Sequence, residues 1–392
     1  MKKLLITSFD MEVGGVERSL ISMLTHFDYN RYDVDLMLCS HTGEFMELLP
    51  EKPSLLKENM SYKTFRMPVS QVLKQGKIPI GFSRLYAKYR ARVGESSEKG
   101  YKQMQYMWKY ALPFLPKVEK KYDVAISYLW PHYLVAEKVE AKTKIAWIHT
   151  DYSMVDTDVE MDIALWKKFN HIIAVSEQCK QAFIRKYPSL NNKVTVIENI
   201  TSPELVREQA KENVQNPMDH DERFKIITVA RLSHAKGIDQ AVQAMKLLIE
   251  RGYNDIVWYV VGYGGDEGLI RTLIKEYGLE ENFHLLGKKI NPYPFMEAAE
   301  LYVQPSRYEG KAVTVGEAQL LGKPVLITNY PTAPSQVNDR IDGMICELSP
   351  EGIANGIEEL RQDDSLRKQL EQNCTSQEYQ NYNELEKLYQ MA

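Results

Sequence analysis

The sequence predicts an α/β protein with two Rossmann-like domains that face a central cleft. Short apolar runs rich in Val, Ile and Leu alternate with helical stretches, which is typical of a doubly wound parallel sheet. The polar segment 201–224, which holds two prolines, interrupts this alternation once, and the alternation then restarts. The length of 392 residues is enough for two domains of ordinary size.

The apolar runs predict the strands and the domain boundary. Strands are expected in the first half at 3–8, 34–38, 124–128, 145–148, 172–175 and 194–197, and in the second half at 224–230, 256–261, 283–286, 301–304 and 324–328. We therefore expect an N-terminal domain over 1–200 and a C-terminal domain over 201–375. Tyr and Leu at helical spacing in 376–392 predict a last helix that packs back on the first domain.

Composition excludes several classes of protein. With 44% hydrophobic and 26% charged residues the chain is expected to be soluble and globular, and a net charge of −4 argues against a nucleic-acid binder. The four cysteines lie far apart, so neither a disulfide framework nor a zinc site is predicted, which fits a cytoplasmic protein. No run approaches the ~18 to 20 apolar residues that span a bilayer, so any membrane contact would be peripheral.

The stretch 71–121 carries an unusual charge. It holds twelve Lys or Arg against three Glu, a local excess of +9, and Tyr, Trp and Phe are interleaved with the cations. Such a basic, aromatic helical region is able to lie on an anionic membrane surface. The alternative, which stays open, is a solvated helical insertion whose aromatic residues belong to the core.

The segment 303–328 has the pattern of the floor of an active site. It joins two predicted strands through a loop with Glu309 and Gly310 and a helical stretch with Glu317. The two carboxylates are expected about 10 Å apart, which is near the span of a sugar, a diphosphate and a ribose. A carboxylate such as Glu317 suits a ribose diol, while Gly310 and the helix start after Lys311 offer close backbone approach and N–H groups to phosphate. The alternative is that both glutamates are capping or solvated surface residues.

Two cations begin the second domain. Arg231 and Lys236 flank a loop that leads into a helix, and cations in such loops are more often simply solvated. A diphosphate leaving group without a metal, however, requires fixed positive charge of this kind. Asp156 and Asp158 have the spacing of a metal-binding pair but lie in a polar stretch, so we expect neither a metal nor a cofactor.

A family resemblance rests on these motifs. Tyr-Glu-Gly at 308–310, the glutamate seven residues further on, Gly-Lys-Pro-Val at 322–325, and an Arg followed five residues later by Lys-Gly resemble the retaining, nucleotide-sugar-dependent glycosyltransferases of the GT-B fold, group 1 (family four). The chain departs from the family at 311–314, where Phe, Gly, Leu and Pro are more usual. The resemblance extends over essentially the whole chain.

The resemblance also implies roles for individual residues. His149, which follows the strand 145–148, and Glu309 would position the sugar, and Arg231 and Lys236 would stabilise the departing diphosphate. The residues that the resemblance places around the donor are Gly15, Arg231, Lys236, Gly262, Lys289, Ile290, Gly310, Lys311, Ala312, Val313 and Glu317. Gly262 lies in a glycine-rich turn after a strand, but no acidic residue ends the next strand, as a dinucleotide site would require.

The expected function is transfer of a hexosyl unit, from a nucleotide sugar that is UDP-linked, to a glycan or lipid-linked acceptor in bacterial polysaccharide synthesis. Two other functions stay open. A glycoside hydrolase would need two carboxylates about 5 to 9.5 Å apart around one bond, and no cations. A non-catalytic nucleotide-sugar-binding paralogue would keep Glu317 and lose the residues on the sugar side.

Overall fold

The computed structural model describes residues 1–392 apart from 93–98, 378 and 380. The chain divides into two compact units, the first comprising Met1–Glu12, Val16–Asn199 and Tyr382–Ala392, and the second Val13–Gly15 and Ile200–Asn381. Each unit is built on one parallel sheet surrounded by helices. The predicted class, α/β with two Rossmann-like domains, is confirmed.

The first unit has a seven-stranded sheet with the order β3-β2-β1-β4-β5-β6-β7. Its strands are β1 (Lys2–Ser8), β2 (Tyr32–Leu38), β3 (Ser54–Leu55), β4 (Tyr122–Ser127), β5 (Ala141–Ile148), β6 (His171–Ala174) and β7 (Val194–Val196). The helices of this half of the chain are α1 (Gly15–Thr25), α2 (Met60–Lys63), α3 (Val69–Lys74), α4 (Ile78–Arg92), α5 (Lys99–Ala111), α6 (Tyr133–Lys138), α7 (Val159–Trp166) and α8 (Glu177–Lys186). Ser176 accepts the Cys179 N–H at 3.1 Å and so caps α8.

The second unit has a six-stranded sheet with the order β10-β9-β8-β11-β12-β13. Its strands are β8 (Phe224–Val229), β9 (Ile256–Val261), β10 (Phe283–Gly287), β11 (Leu301–Gln304), β12 (Val325–Thr328) and β13 (Met344–Cys346). The helices of this unit are α9 (Pro203–Ala210), α10 (Ile238–Glu250), α11 (Glu267–Glu276), α12 (Tyr293–Glu297), α13 (Val313–Leu320), α14 (Pro350–Gln362) and α15 (Asp364–Ser376). The last helix of the chain, α16 (Glu384–Met391), belongs to the first unit.

The core of the second unit occupies both faces of its sheet. Successive side chains of a strand point to opposite faces. Accordingly, Trp258 and Val260 of β9 belong to the apolar cluster that includes residues of α10 and α14. Tyr259 and Val261 belong to the other cluster, with residues of α12 and α13. With both faces covered by helices, the edge at which the strands end is where loops are free to carry functional groups.

The strand order places a switch point between β8 and β11. These neighbours pair in parallel, with Leu301 opposite Ile226, although they are far apart in the chain. The connection from β8 leads to β9 on one side, whereas β11 continues to β12 on the other. Because ligands of open α/β sheets bind where the strand order reverses, the loops after β8 and β11 form the candidate site.

Two strands and one helix boundary differ from the prediction. β3 and β13 have two and three residues, too few to show a recognisable apolar pattern. The last helix begins at Glu384 rather than near 376, and residues 378 and 380 lie outside the described part of the chain. The predicted start is wrong because the chain passes between units here: Tyr379 packs on the second core, whereas the Tyr389 ring lies 5.4 Å from that of Tyr32 in the first.

The basic stretch folds as helices α3 to α5, and residues 93–98 within it lie outside the described residues. Trp108 and Tyr106 are buried, as the core interpretation of the aromatic residues predicts, whereas Tyr86 and Tyr89 are exposed. Within the described part of the chain, no helix combines the length and apolarity needed to cross a membrane.

A pair of glycines tests how the switch-point loop is packed. Gly237 and Gly278 both have left-handed backbone, with φ of 64° and 65°. A Cβ at Gly237 would lie 2.0 Å from the Pro305 carbonyl oxygen, whereas nothing lies within 4 Å of one at Gly278. Gly278→Ala should cost about 1–2 kcal/mol of unfolding free energy, and Gly237→Ala clearly more, because the loop after β11 must move. Urea unfolding measures both losses, and equal losses would contradict this packing.

Candidate functional site

The loops that follow β8 and β11 are joined at the switch point. The first contains Arg231 and a 3₁₀ helix, His234–Lys236, and leads into α10. The second runs from Pro305 to α13. The Arg307 N–H donates to the Ala235 carbonyl at 2.8 Å, and its guanidinium binds both carboxylate oxygens of Asp239 at 2.8 and 2.6 Å. This bidentate pair fixes the second loop to the first turn of α10.

Lys236 and Glu309 form an ion pair across the switch point. Lys236 Nζ lies 2.6 Å from both Oε1 and Oε2 of Glu309. Ser306 Oγ also donates to Oε1 at 2.6 Å, and Gln304 Nε2 does so at 3.2 Å. Glu309 is only 7% exposed. The carboxylate is thus held by three donors, which leaves it little freedom of orientation.

This pairing connects two residues to which the family resemblance assigns different ends of a ligand. The resemblance puts Lys236 at the diphosphate and Glu309 at the sugar, and the structure places their charged groups in direct contact. An anionic group that binds Lys236 would therefore either share the Lys236 ammonium with Glu309 or break its contact with the Glu309 carboxylate. Arg231, in the same loop, is exposed.

Glu317 lies in the second turn of α13 and is 3% exposed. The hydroxyl of the buried Tyr293, in α12, donates to Glu317 Oε1 at 2.7 Å. A carboxylate with one oxygen bound in this way is held in one orientation, as recognition of a diol requires.

A chain of hydrogen bonds links the two glutamate regions. Gln304, which donates to Glu309, also accepts from the Tyr302 hydroxyl at 2.6 Å. That hydroxyl lies 2.8 Å from Thr314 Oγ1, in the first turn of α13. The end of β11 therefore positions both the Glu309 carboxylate and the start of the helix that carries Glu317.

The loop before α13 offers fewer backbone donors than the sequence suggested. The Ala312 N–H donates to Gln336 Oε1 at 3.1 Å, and Gln336 Nε2 donates back to the Ala312 carbonyl. The Ala312 amide is therefore already used within the protein. Gly310 is buried, and Lys311 and Val313 are partly accessible.

The remaining predicted donor residues of this unit lie along the β8–β10 side of the sheet. Gly262 follows β9, and a Cβ there would lie 1.8 Å from the Ala230 carbonyl oxygen, so the close approach of the ends of β8 and β9 requires glycine. Lys289 and Ile290 follow β10. The Lys289 ammonium lies 5.2 Å from the centre of the Phe295 ring, and Ile290 is exposed.

Two predicted residues lie towards the start of the chain. Gly15 is the first residue of α1, and His149 directly follows β5. His149 Nε2 lies 2.9 Å from the Tyr128 carbonyl oxygen, to which it must donate, so Nδ1 is left as an acceptor. The ring is partly accessible, but the protein atoms packed around it lower the pKa of His149 to about 3. His149 is neutral at pH 7.

His132, which lies in the first unit as His149 does, is fully enclosed. Its Nδ1 lies 2.8 Å from Ser127 Oγ, and its ring centre lies 4.8 Å from that of Trp166. Burial, and secondarily the neighbouring His149, lowers the pKa of His132 to about 3. His132 is a neutral core residue at physiological pH.

Several residues that shape the site were not identified in the sequence. Ser306 and Arg307 adjoin Glu309, and their position after a strand end was the available signal. Tyr293, Gln304 and Gln336 gave none, because each reaches the site only through the fold. Tyr293 contributes a hydroxyl, and Gln304 and Gln336 contribute side-chain amides. No local spacing in the sequence relates positions 293 and 336 to the two glutamates.

The paired aspartates have structural partners. Asp156 lies 3.6 Å from the Lys102 ammonium, and Asp158 accepts the Met161 N–H at 3.1 Å as the cap of α7. Among the residues outside 93–98, 378 and 380, no group of three or more His, Cys, Asp or Glu is arranged to hold a metal ion.

The second unit is similar to a known protein family. Residues 209–377 match the family described as glycosyl transferases group 1. The chain is 28% identical over 208 residues to the capsular polysaccharide biosynthesis glycosyltransferase CapM of Staphylococcus aureus, covering 52% of this chain and 55% of that protein. It is 26% identical over 186 residues to an uncharacterized glycosyltransferase of Methanocaldococcus jannaschii, covering 45% of this chain and 46% of that protein. The chain thus spans about half the length of the curated relatives it matches.

Solved structures share the fold over the whole chain. The Anabaena protein Alr3699/HepE, in complex with UDP-glucose, matches with a TM-score of 0.69 and 17% identity, covering 100% of both chains. A mutant of TarM from Staphylococcus aureus, in complex with Fondaparinux, alpha-GlcNAc-glycerol and UDP, matches with a TM-score of 0.69 and 14% identity, covering 100% of this chain and 99% of that one. At this identity the likeness shows the fold alone.

The buried His132 contributes to acid sensitivity of the fold, and His149, whose pKa is lowered to a similar value, adds a contribution of the same sign that remains when His132 is replaced. An unfolded histidine takes up a proton near pH 6.5, whereas folded His132 does so only near pH 3. Between these values the unfolded state binds more protons, so the unfolding free energy should fall as the pH is lowered, by up to about 1.4 kcal/mol per pH unit from this group. His132→Gln should flatten the slope between pH 6.5 and 5 in urea titrations.

Ser127→Ala is the matched control for that measurement. It removes the hydrogen bond to the imidazole but keeps the buried ring, so the pH slope of the wild type should remain. A slope that is unchanged in His132→Gln would show that another group causes the acid sensitivity.

Proposed function

We propose that this chain, whose second unit belongs to the group 1 family of glycosyl transferases, is a retaining glycosyltransferase that moves a hexosyl unit from a UDP-linked sugar to a glycan or lipid-linked acceptor. The observation that carries the proposal is the arrangement at the switch point. A lysine from the loop after β8, a buried glutamate from the loop after β11 and a second buried glutamate on the following helix lie along one sheet edge.

The nucleotide end of the donor is assigned to α13. Glu317 is buried and oriented by Tyr293, and a carboxylate held in this way accepts both hydroxyls of a vicinal diol. The ribose of UDP carries such a diol. The ends of β9 and β10, with Gly262, Lys289 and Ile290, border the base in this assignment.

The leaving group is assigned to the loop after β8. When the bond from the anomeric carbon to the diphosphate breaks, negative charge accumulates on the phosphate oxygens, and positive groups already in place lower the barrier. Lys236 is held in place by Glu309, and Arg231 lies in the same loop. We propose that these cations supply the charge and that transfer requires no metal.

The sugar end is assigned to Glu309 and, on the family resemblance, to His149. Glu309 positions the Lys236 ammonium on one side and accepts sugar hydroxyls on the other. Neutral His149 keeps an acceptor nitrogen for a hydroxyl. Neither residue is assigned as a nucleophile, and the retaining stereochemistry rests on the resemblance.

The proposed acceptor is a glycan or lipid-linked glycan of cell-surface polysaccharide synthesis. The relative named for capsular polysaccharide biosynthesis supports a glycan acceptor. The basic stretch 71–121 supports peripheral association with an anionic membrane, where a lipid-linked glycan would be presented. We propose a cytoplasmic protein that binds the inner face of the membrane reversibly.

The first test separates the two glutamates. A panel of nucleotide sugars should show thermal stabilisation and turnover with UDP-linked donors. Glu317→Ala should weaken binding of free UDP by about tenfold or more, because a charged acceptor contributes about 1.5–3 kcal/mol. Tyr293→Phe should cause a smaller loss of the same kind. Glu309→Ala should leave UDP affinity near that of the wild type and reduce transfer.

Tyr259→Phe is the control for Tyr293→Phe, since Tyr259 also donates from a buried ring to a carboxylate, that of Asp221, at 2.7 Å. It should not change UDP affinity. Equal loss of UDP affinity in Glu309→Ala and Glu317→Ala would contradict the assignment. Binding without transfer to any acceptor would favour a non-catalytic nucleotide-sugar-binding protein.

The second test concerns the leaving group. Arg231→Ala and Lys236→Ala should each lower turnover by ~10² or more, as the loss of a preorganised charge donor does. Arg307→Ala is the matched control, since it breaks another ion pair of the same loop without removing a proposed ligand. Both Arg307→Ala and Lys236→Ala should lower the unfolding temperature, but Arg307→Ala should reduce turnover far less.

Near wild-type turnover in both Arg231→Ala and Lys236→Ala would refute the charge assignment. EDTA should leave turnover unchanged. Inhibition by EDTA that Mg²⁺ or Mn²⁺ reverses would show that a metal supplies part of the positive charge.

A further inference from the structure

Helix α4 exposes a continuous stripe of large apolar side chains. The stripe consists of Ile78, Phe82, Leu85, Tyr86 and Tyr89, which are between 44% and 66% exposed. Their spacing of four, three, one and three residues places them on one side of a helix, within about 100° of arc. We call this set the α4 stripe.

The opposite side of α4, which faces the protein, buries the side chains of three small residues and one isoleucine. Ala87 and Ala91 are buried against Tyr106 of α5, and Ile80 and Ser83 are buried as well. An ordinary surface helix places its large apolar residues inward and its polar residues outward. In α4 the five large apolar side chains of the α4 stripe are on the outside and Ile80 is buried, so the solvent-exposed face is the more apolar one and suits contact with an apolar partner.

Cations border the stripe on both sides. Lys88 and Arg90 are exposed, and their positions in the helix fall to either side of Tyr89. Arg84 is different, because its guanidinium donates to the carbonyls of Thr64 at 2.6 Å and Met67 at 2.8 Å and therefore serves the fold. Phe and Tyr flanked by Lys and Arg are typical of a helix lying in a membrane interface.

Charge decides between a membrane and a second copy of this chain. The sequence of α4 contains no Asp or Glu. Two stripes packed together would bring Lys88 and Arg90 near their own counterparts, with no acid on either helix to balance them. An anionic lipid surface instead supplies opposite charge beside the acyl chains.

We propose that α4 lies in the interface of an anionic membrane with the α4 stripe inserted among the lipids. This rests on the proposed function in one respect, namely that the acceptor is lipid-linked. Insertion of apolar side chains is not screened by salt, whereas the contribution of Lys88 and Arg90 is. Binding should therefore weaken but persist at high salt.

The test is co-sedimentation with phosphatidylcholine vesicles, with and without phosphatidylglycerol, at low and high salt. Wild type should sediment with the anionic vesicles. The variant Phe82→Ser/Tyr89→Ser should lose about tenfold or more in partition, because two large apolar contacts are removed. The control Leu269→Ser/Ile341→Ser changes two apolar side chains that are also more than half exposed, at 52% and 56% against 61% and 66% for Phe82 and Tyr89, and it should sediment like the wild type.

Three results would overturn the proposal. Wild type could stay in the supernatant, or the Phe82→Ser/Tyr89→Ser variant could bind as well as the wild type. Alternatively, the variant could convert a dimer to a monomer in sedimentation velocity without losing vesicle binding, which would make the stripe a subunit interface. UDP-induced thermal stabilisation, measured on the same samples, reports the donor site separately and should be equal in all variants.

A second measurement does not depend on removing contacts. In Tyr89→Trp the indole should shift its fluorescence emission to shorter wavelength when anionic vesicles are added, because the stripe enters an apolar environment. An emission maximum that does not move, with vesicles in excess, would also overturn the proposal.

Discussion

The second unit depends on the ion pair between Lys236 and Glu309. The two residues come from strands that are neighbours in the sheet but 73 positions apart in the chain. With Glu309 buried, loss of Lys236 would leave a carboxylate with only neutral donors, which is costly. The pair therefore holds the two loops of the switch point together, and in the proposed function the same lysine supplies positive charge to the leaving group.

Hydrogen bonds connect this pair to the start of α13, the helix that carries Glu317. Gln304 contacts Glu309 directly and reaches the start of α13 through Tyr302 and Thr314. The Glu309 carboxylate and the helix that carries Glu317 are thereby positioned by the end of a single strand, β11. A substitution at Gln304 would disturb both, whereas Tyr293 acts on Glu317 alone.

In the first unit, helices α4 and α5 are tied to the segment that follows His149. Gln105 of α5 donates to Asp162 Oδ1 at 2.6 Å and accepts the Asp158 N–H at 2.8 Å. Helix α5 is thus fixed to this unit by buried hydrogen bonds. Several of its cations are used internally, as Arg84 and Lys120 show, so the charge excess counted along the sequence overstates the charge that the surface displays.

The sequence by itself determined the α/β class, eleven of the strands to within a few residues, and the segments that carry charge and carboxylates. These follow from local patterns: apolar runs, glycines at strand ends, and glutamates at a recognisable spacing. Only the tertiary structure determined which side chains of the candidate site contact one another. Lys236 and Glu309 meet because β8 and β11 are adjacent. Tyr293 reaches Glu317 because α12 and α13 both pack against α9, and Gln336 accepts the Ala312 N–H from a distant turn. The outward face of α4 also needed the structure, since periodicity shows that a helix has two sides but not which side the protein covers.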